Sequence, residues 1–197
     1  MFISFEGLDG CGKTTQAAML ADAIELEGRE VVRVREPGGT PTGERIRELL
    51  LDPAATIGPV AETLLYAAAR AQLVEQVIAP ALVRGAVVVA DRFVDSSLAY
   101  QGVGRGLGLE RVLTVNRFAT GDVMPDRTLL LRLPADEAAR RRGTAPDRIE
   151  SEGDGFHADV ADGFNQAAAR FPQRIVVIDA SGPPRAVLAR VREAVGI

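Results

Sequence analysis

Apolar and polar residues follow two rhythms along this chain. Short runs rich in Val, Ile, Leu, Phe and Ala occupy 2–6, 31–35, 86–90, 128–133 and 174–178. Their brevity and near-continuous apolar character predict strands covered on both faces. Between them, apolar positions recur every three or four residues and predict helices over 16–27, 43–51, 61–83, 109–119, 135–142, 158–170 and 185–195. Ala17, Leu20, Ala21 and Ile24 carry that spacing in the first helix, and Pro80 predicts a kink in the long third one. Strand–helix alternation of this kind predicts an α/β fold in three layers, a five-stranded parallel sheet flanked by helices on both faces. No repeat, linker or low-complexity tract interrupts it, so residues 1–197 read as a single domain. Sheets of this type bind ligands beyond the carboxyl ends of their strands.

Composition narrows the class. With 197 residues, 47% of them apolar and 25% charged, the chain can bury a sizeable core, which excludes global disorder. Its 27 acidic against 23 basic residues give a net charge of −4, which argues against a nucleic-acid partner gripped by its phosphates. The best candidate membrane span, 77–90, is broken by Pro80, Arg84 and Gly85, so no membrane partner is expected. The start MFISFEG lacks the basic residues and long apolar stretch of a signal peptide. A single cysteine, Cys11, excludes an internal disulfide, and with a single histidine, His157, it makes an all-nitrogen-and-sulfur zinc site implausible. These features predict a cytoplasmic protein. Of the 23 basic residues 22 are arginine, and the one lysine is Lys13.

That lysine stands in a recognisable place. The first strand run leads into Gly7-Leu8-Asp9-Gly10-Cys11-Gly12-Lys13-Thr14-Thr15, which fits G-x-x-x-x-G-K-[ST] with a strand before it and a helix after it. Glycines let backbone N–H groups turn inward around a polyphosphate, and the helix N-terminus adds partial positive charge. Lysine brings a mobile cation to the β- and γ-phosphates, and the Thr14 hydroxyl can ligate Mg²⁺. Cys11 reads as a small loop residue without a redox role.

Three other constellations begin where strands end. The first is Arg35-Glu36-Pro37-Gly38-Gly39-Thr40, followed by a helix that brings Arg47 back toward the loop. The second is Asp91-Arg92-Phe93 and then 95–102 (DSSLAYQG); Asp91 can hold a metal or its water, and Arg92 can bridge phosphates. The third is Arg140-Arg141-Arg142, a four-residue spacer, and Asp147-Arg148-Ile149-Glu150. It predicts a lid at about 140–155 that swings arginines over a transferring group, with Gly143, Gly153 and Gly155 as hinges. Each has a bland reading when taken alone: loop punctuation, a surface ion pair, and a solvated helix end.

The inventory also bears on the reaction. No histidine stands near these motifs, and no Ser–His–Asp or paired-carboxylate arrangement is evident. A hydroxyl acceptor usually needs a base to take its proton. A phosphate acceptor needs its charge neutralised and its oxygen held in line, which is work for arginines and Mg²⁺.

Taken together, EGLDGCGKTT, REPGGTPTGERIR, LLYAAARAQLVE, DRFVDSSLAYQGVGRG, PDRTLLL and DRIE make the chain resemble the bacterial thymidylate kinases over essentially its whole length. The resemblance implies phosphoryl transfer from MgATP to dTMP by a homodimer. It assigns Gly7, Asp9, Gly10, Cys11, Gly12, Lys13, Thr14 and Thr15 to ATP. Asp9 and Glu36 then face the dTMP sugar-phosphate or Mg²⁺, the metal set being Thr14, Asp9 and Asp91. Arg47 and Arg92 go to the acceptor phosphate. Tyr66 stacks on thymine, where many relatives have Phe, and Arg70, Ser97 and Gln101 meet the base edge. Tyr100 crowds the ribose 2′ position. Arg141 resembles the arginine lying against adenine, and Arg148 the lid arginine that acts in catalysis with Lys13, Asp9 and Arg92. A phosphate loop without a basic residue at 9–11, paired with an arginine-rich lid, resembles the bacterial branch. Another nucleotide kinase, or a nucleotide-binding module without catalysis, is the rival reading.

Overall fold

The structure, a computed structural model, describes residues 1–134, 137–138 and 147–197. The helix expected over 135–142, with Arg140, Arg141 and Arg142, lies largely outside the described residues. Five strands, β1 (Phe2–Glu6), β2 (Val31–Arg35), β3 (Val87–Asp91), β4 (Arg127–Arg132) and β5 (Ile175–Asp179), pair in parallel in the order β2-β3-β1-β4-β5. Each lies within one residue of its expected place. The described helices are α1 (Lys13–Leu26), α2 (Pro41–Leu51), α3 (Pro59–Leu73), α4 (Ala79–Val83), α5 (Val94–Ser97), α6 (Leu109–Thr120), α7 (Asp154–Arg170) and α8 (Pro184–Val195). Among them none is long and apolar enough to cross a membrane.

Alternation along the strands divides the interior in two, because successive side chains point to opposite faces. Phe2, Val88 and Ala90 enter one cluster with Leu73 of α3, Val112 of α6 and Phe164 of α7. Ile3, Phe5, Val87 and Val89 enter the other with Leu20 and Ile24 of α1 and Val191 of α8. Full burial of a side chain such as Leu20 or Ile24 is worth about 1.5–3 kcal/mol. The result is an α/β sandwich of helices, parallel sheet and helices.

Strand order also locates the crevice. From β1 the chain crosses toward one edge to reach β2, and from β3 it crosses toward the other to reach β4. β1 and β3 are neighbours, so their carboxyl ends form the switch point where such sheets take ligands.

Two stretches depart from the sequence pattern. The helix expected over 61–83 is α3, a π-helical turn (Val74–Ile78) and α4; the Ala79 N–H donates five residues back to the Val74 carbonyl. Pro80 has no N–H to continue the ladder, and the wide turn just before it takes up the bend. The second is 94–104, which carried no helical expectation. There α5 continues into a π-helical segment (Leu98–Gly104), closed by the Arg105 N–H on the Tyr100 carbonyl at 2.8 Å. A Cβ on Gly104 would stand 2.9 Å from Phe156 and Val160, and one on Gly163 would stand 2.7 Å from Ala99 Cα. Glycine on both sides lets α7 lie close across this segment, and packing overrides weak local propensity.

Candidate active site

The turn after β1 is shaped by two glycines. At Gly7 (φ 134°) a Cβ would lie 2.5 Å from the Leu131 carbonyl oxygen, so only glycine lets the loop leave β1 this close to β4. Gly12, left-handed at φ 94°, precedes α1, whose first turn has neither a side-chain cap nor an acidic residue. That helix end is therefore left positive and open to an anion. The Lys13 ammonium donates to the Leu8 carbonyl at 2.8 Å and stands 3.7 Å from Asp9 Oδ1. Thr14 Oγ1 donates to Asp91 Oδ2 at 2.5 Å, linking the phosphate loop to the end of β3.

Arg92, the next residue, has a left-handed backbone (φ 73°), which costs a non-glycine residue about 1–2 kcal/mol. Its guanidinium pairs with the Asp9 carboxylate and donates to the Gly7 carbonyl at 3.2 Å and to Ser96 Oγ at 2.9 Å. The Tyr100 hydroxyl donates to Asp9 Oδ2 at 3.1 Å, and the Arg92 cation lies 5.3 Å from the centre of the Tyr100 ring. Burial alone would raise the Asp9 carboxyl, but Arg92, Lys13 and the Tyr100 hydroxyl outweigh it and hold it well below the usual carboxylate range. Burial pushes the Tyr100 phenol up, so Asp9 is the permanent anion of this group and Tyr100 its neutral donor.

The far wall is built around Arg70, a fully buried cation on α3. Its Nε donates to Glu36 Oε2 at 2.8 Å, one terminal nitrogen to the Glu36 carboxylate and to the Phe93 carbonyl at 3.0 Å, and the other to Ser97 Oγ at 3.0 Å and to the Asn116 amide oxygen. All five of its N–H groups are thus engaged. Tyr66 stands one helical turn before Arg70 and is kept neutral by burial first and the Glu62 carboxylate second. Thr40 caps α2 through the Gly43 N–H at 2.9 Å, and α2 returns Arg47 to the Pro37 carbonyl at 2.9 Å.

These groups share one cleft of about 690 Å³. Of the residues singled out from the sequence, Asp9, Gly10, Cys11, Gly12, Lys13, Thr14 and Thr15 line it on one side. Glu36, Arg47, Tyr66, Arg70, Asp91, Arg92, Ser97, Tyr100 and Gln101 line the other. Gly7 is buried and is not among the lining residues. Arg148 is not among the lining residues: it donates to the Leu50 carbonyl at 2.8 Å and to buried Glu62 at 2.7 Å, while its neighbours Asp147 and Ile149 do line the cleft. Arg141 lies outside the described residues. Cys11 is buried, as a small loop residue would be.

Other lining residues carried no sequence assignment. Arg35 closes β2, and Gly182 and Pro184 follow β5; their position at the carboxyl ends of strands was the available signal. Asn116, which fixes Arg70 from α6, offered no signal, since a single helical Asn has no pattern of its own.

Among the described residues no group of three or more His, Cys, Asp or Glu is arranged to hold a metal. The hydroxyl–carboxylate pair Thr14–Asp91 does suit Mg²⁺, which keeps waters and takes its remaining ligands from substrate phosphates. Asp9 is already claimed by Arg92, Lys13 and Tyr100.

A protein-family model described as "Thymidylate kinase" matches residues 5–191. The thymidylate kinase of Caldanaerobacter subterraneus subsp. tengcongensis is 49% identical over 98% of this chain and 94% of its own. That of Synechococcus sp. (strain JA-3-3Ab) is 53% identical over 97% and 93%. The crystal structure of thymidylate kinase from Ehrlichia chaffeensis superposes with a TM-score of 0.82 at 34% identity, covering 100% of this chain and 98% of that one. With a glycine loop, an open helix end and a walled cleft where the strand order reverses, the chain belongs to the thymidylate kinase family.

Proposed function

We propose that this protein is a dTMP kinase: it transfers the γ-phosphoryl group of ATP to the phosphate of dTMP, giving dTDP and ADP. The observation that carries the reading is the continuity of one cleft, from the phosphate loop past Arg92 to the wall of Tyr66 and Arg70. ATP lies along Gly10–Thr15, its base toward Gly182 and Pro184. The dTMP phosphate faces Arg92 and Arg47, with Arg35 close by. Thymine packs on Tyr66, and Arg70 exchanges its Ser97 bond for an acceptor on the base edge while Gln101 lies alongside. Tyr100 limits the sugar to a deoxyribose.

The acceptor oxygen is already anionic, so no base is required; the residues supply alignment and neutralisation. Lys13 leaves the Leu8 carbonyl for the phosphates, and Arg92 stays fixed by Asp9. Thr14 and Asp91 would hold Mg²⁺, which when bound would supply positive charge to the transferring phosphates. Reliance on ATP supports a cytoplasmic site of action. The exposed apolar Val60 and Leu64 of α3 and Phe118 of α6, two helices that pack on each other, support a homodimer. The chain acts as one kinase domain.

An assay coupled to ADP release tests this with dTMP, dUMP and thymidine as acceptors. The expected order is dTMP fastest, dUMP slower but detectable, and thymidine silent. One missing methyl discriminates by about 10- to 200-fold. Lys13→Met, folded as judged by circular dichroism, is expected to lose at least about 10²-fold in kcat. Equal rates with dTMP and thymidine, or an undiminished Lys13→Met, would overturn the assignment.

A further inference from the structure

Glu6, the last residue of β1, is fully buried and forms no ion pair among the described residues. Its two oxygens are nevertheless occupied. Oε1 accepts the Phe93 N–H at 2.8 Å, and Oε2 accepts the Ser96 hydroxyl at 2.5 Å. Both donors flank Arg92. Ser96 Oγ is also the atom on which the Arg92 guanidinium rests, so a chain of donors runs from Arg92 through Ser96 to Glu6. Among the described residues only Arg92 and Asp122 combine a side chain with a positive φ, and Asp122 lies exposed in the turn after α6. A left-handed residue persists when its surroundings over-determine it. Here the restraint comes from β1: the Arg92 N–H bonds the Phe5 carbonyl at 3.0 Å, and the next N–H along bonds Glu6.

We infer that Glu6 is a positioning residue for phosphoryl transfer, acting through Phe93 and Ser96 to hold Arg92 in its left-handed turn with the guanidinium aimed at the acceptor phosphate. This rests on the assignment of Arg92 to that phosphate. Two Glu6 oxygens capture two donors of one turn, so backbone and side chain of Arg92 are fixed from the same carboxyl group, most firmly when it is ionised. A carboxylate can do this and a carboxamide cannot, because one end of an amide donates. In Glu6→Gln the Ser96 hydroxyl loses its acceptor, and the amide competes with Arg92 for Ser96 Oγ.

The test compares wild type, Glu6→Gln, Ser96→Ala and the double variant by steady-state kinetics with each nucleotide varied in turn. Glu6→Gln is expected to lower kcat/KM for dTMP by about tenfold or more while KM for ATP stays within about twofold. Ser96→Ala should act in the same direction, and the double variant should be no worse than Glu6→Gln, since both cut one tie. Effects that multiply, or equal rises in both KM values, would overturn the inference. Should Glu6→Gln fail to fold, Ser96→Ala decides alone: unchanged dTMP kinetics reject the tie, and a dTMP-specific loss sustains it. Absence of dTMP phosphorylation by the wild type would instead reject the functional assignment, so the two failures are distinct.

Discussion

Glu6 and Asp9 stand three positions apart, yet their surroundings drive their carboxyls in opposite directions. Burial, then the charge of Asp95, pushes Glu6 up to about 7, against the weaker pull of Ser96 and Arg92. At Asp9 the cations win over burial. For Glu6, the folded chain holds its proton over a range where the unfolded chain has released it. Its contribution to stability is therefore greatest below about pH 4.5 and declines as pH rises toward 7, by about 3 kcal/mol in all. Asp9 does the reverse: its contribution is present above the ordinary carboxylate range and is lost only in strong acid. Urea unfolding at pH 5 and pH 8 should then show wild type losing stability relative to Glu6→Gln as pH rises. Parallel stabilities would mean that Glu6 is charged throughout. At this scale the sequence was uneven. Lys13 could be placed because its motif prescribes a lysine, whereas a glutamate ending a strand carries no local mark of the turn it holds. That knowledge resides in Phe93 and Ser96, nearly ninety positions away.

Elements were legible where burial imposes a period and obscure where glycine sets the distance. The central strands β1, β3 and β4 announce themselves because both faces are covered. The edge strands β2 and β5 are partly exposed, contrary to the expectation of full cover, and show through their Val and Ile content instead. Segment 94–104 does not, since its helical form depends on α7 lying against Gly104 and Ala99. Two glycines of α7 separate propensity from packing. Replacing an exposed helical glycine by alanine gains up to about 1 kcal/mol. Gly155 has nothing within 4 Å of an added Cβ, so Gly155→Ala should stabilise by about 0.5 kcal/mol. Gly163→Ala places a methyl group 2.7 Å from Ala99 Cα and 2.9 Å from its carbonyl oxygen, both backbone atoms. It should destabilise by about 1–3 kcal/mol, and also raise KM for dTMP, because the displaced segment carries Tyr100 and Gln101. Thermal unfolding of the two variants gives the comparison. Shifts of the same sign would show that α7 can slide without cost.

Across the whole molecule, distant segments meet on Glu62, a residue of α3 with no exposed surface. It accepts Gln101 Nε2 at 2.9 Å, the Arg105 guanidinium at 3.1 and 3.2 Å, and Arg148 at 2.7 Å. Arg105 extends the network to Glu152, and the Arg148 backbone N–H reaches the Leu51 carbonyl at 3.3 Å. The sequence could identify Arg148 as a cation in a motif but not its partner, because the pairing spans 86 positions. This geometry assigns Arg148 work other than neutralising the transferring group: it binds 147–152 to α2 and α3, so that Asp147 and Ile149 form a wall of the cleft. The two roles separate kinetically. If Arg148 anchors, Arg148→Ala and Glu62→Gln share a phenotype, a KM for dTMP raised several-fold with kcat changed by less than about threefold. If Arg148 leaves Glu62 during turnover to meet the phosphoryl group, Arg148→Ala lowers kcat by about 10²-fold while Glu62→Gln, which frees the arginine, does not. The buried carboxylate favours the first outcome, since departure of Arg148 would remove one of the two guanidiniums that neutralise Glu62 at a site sheltered from water.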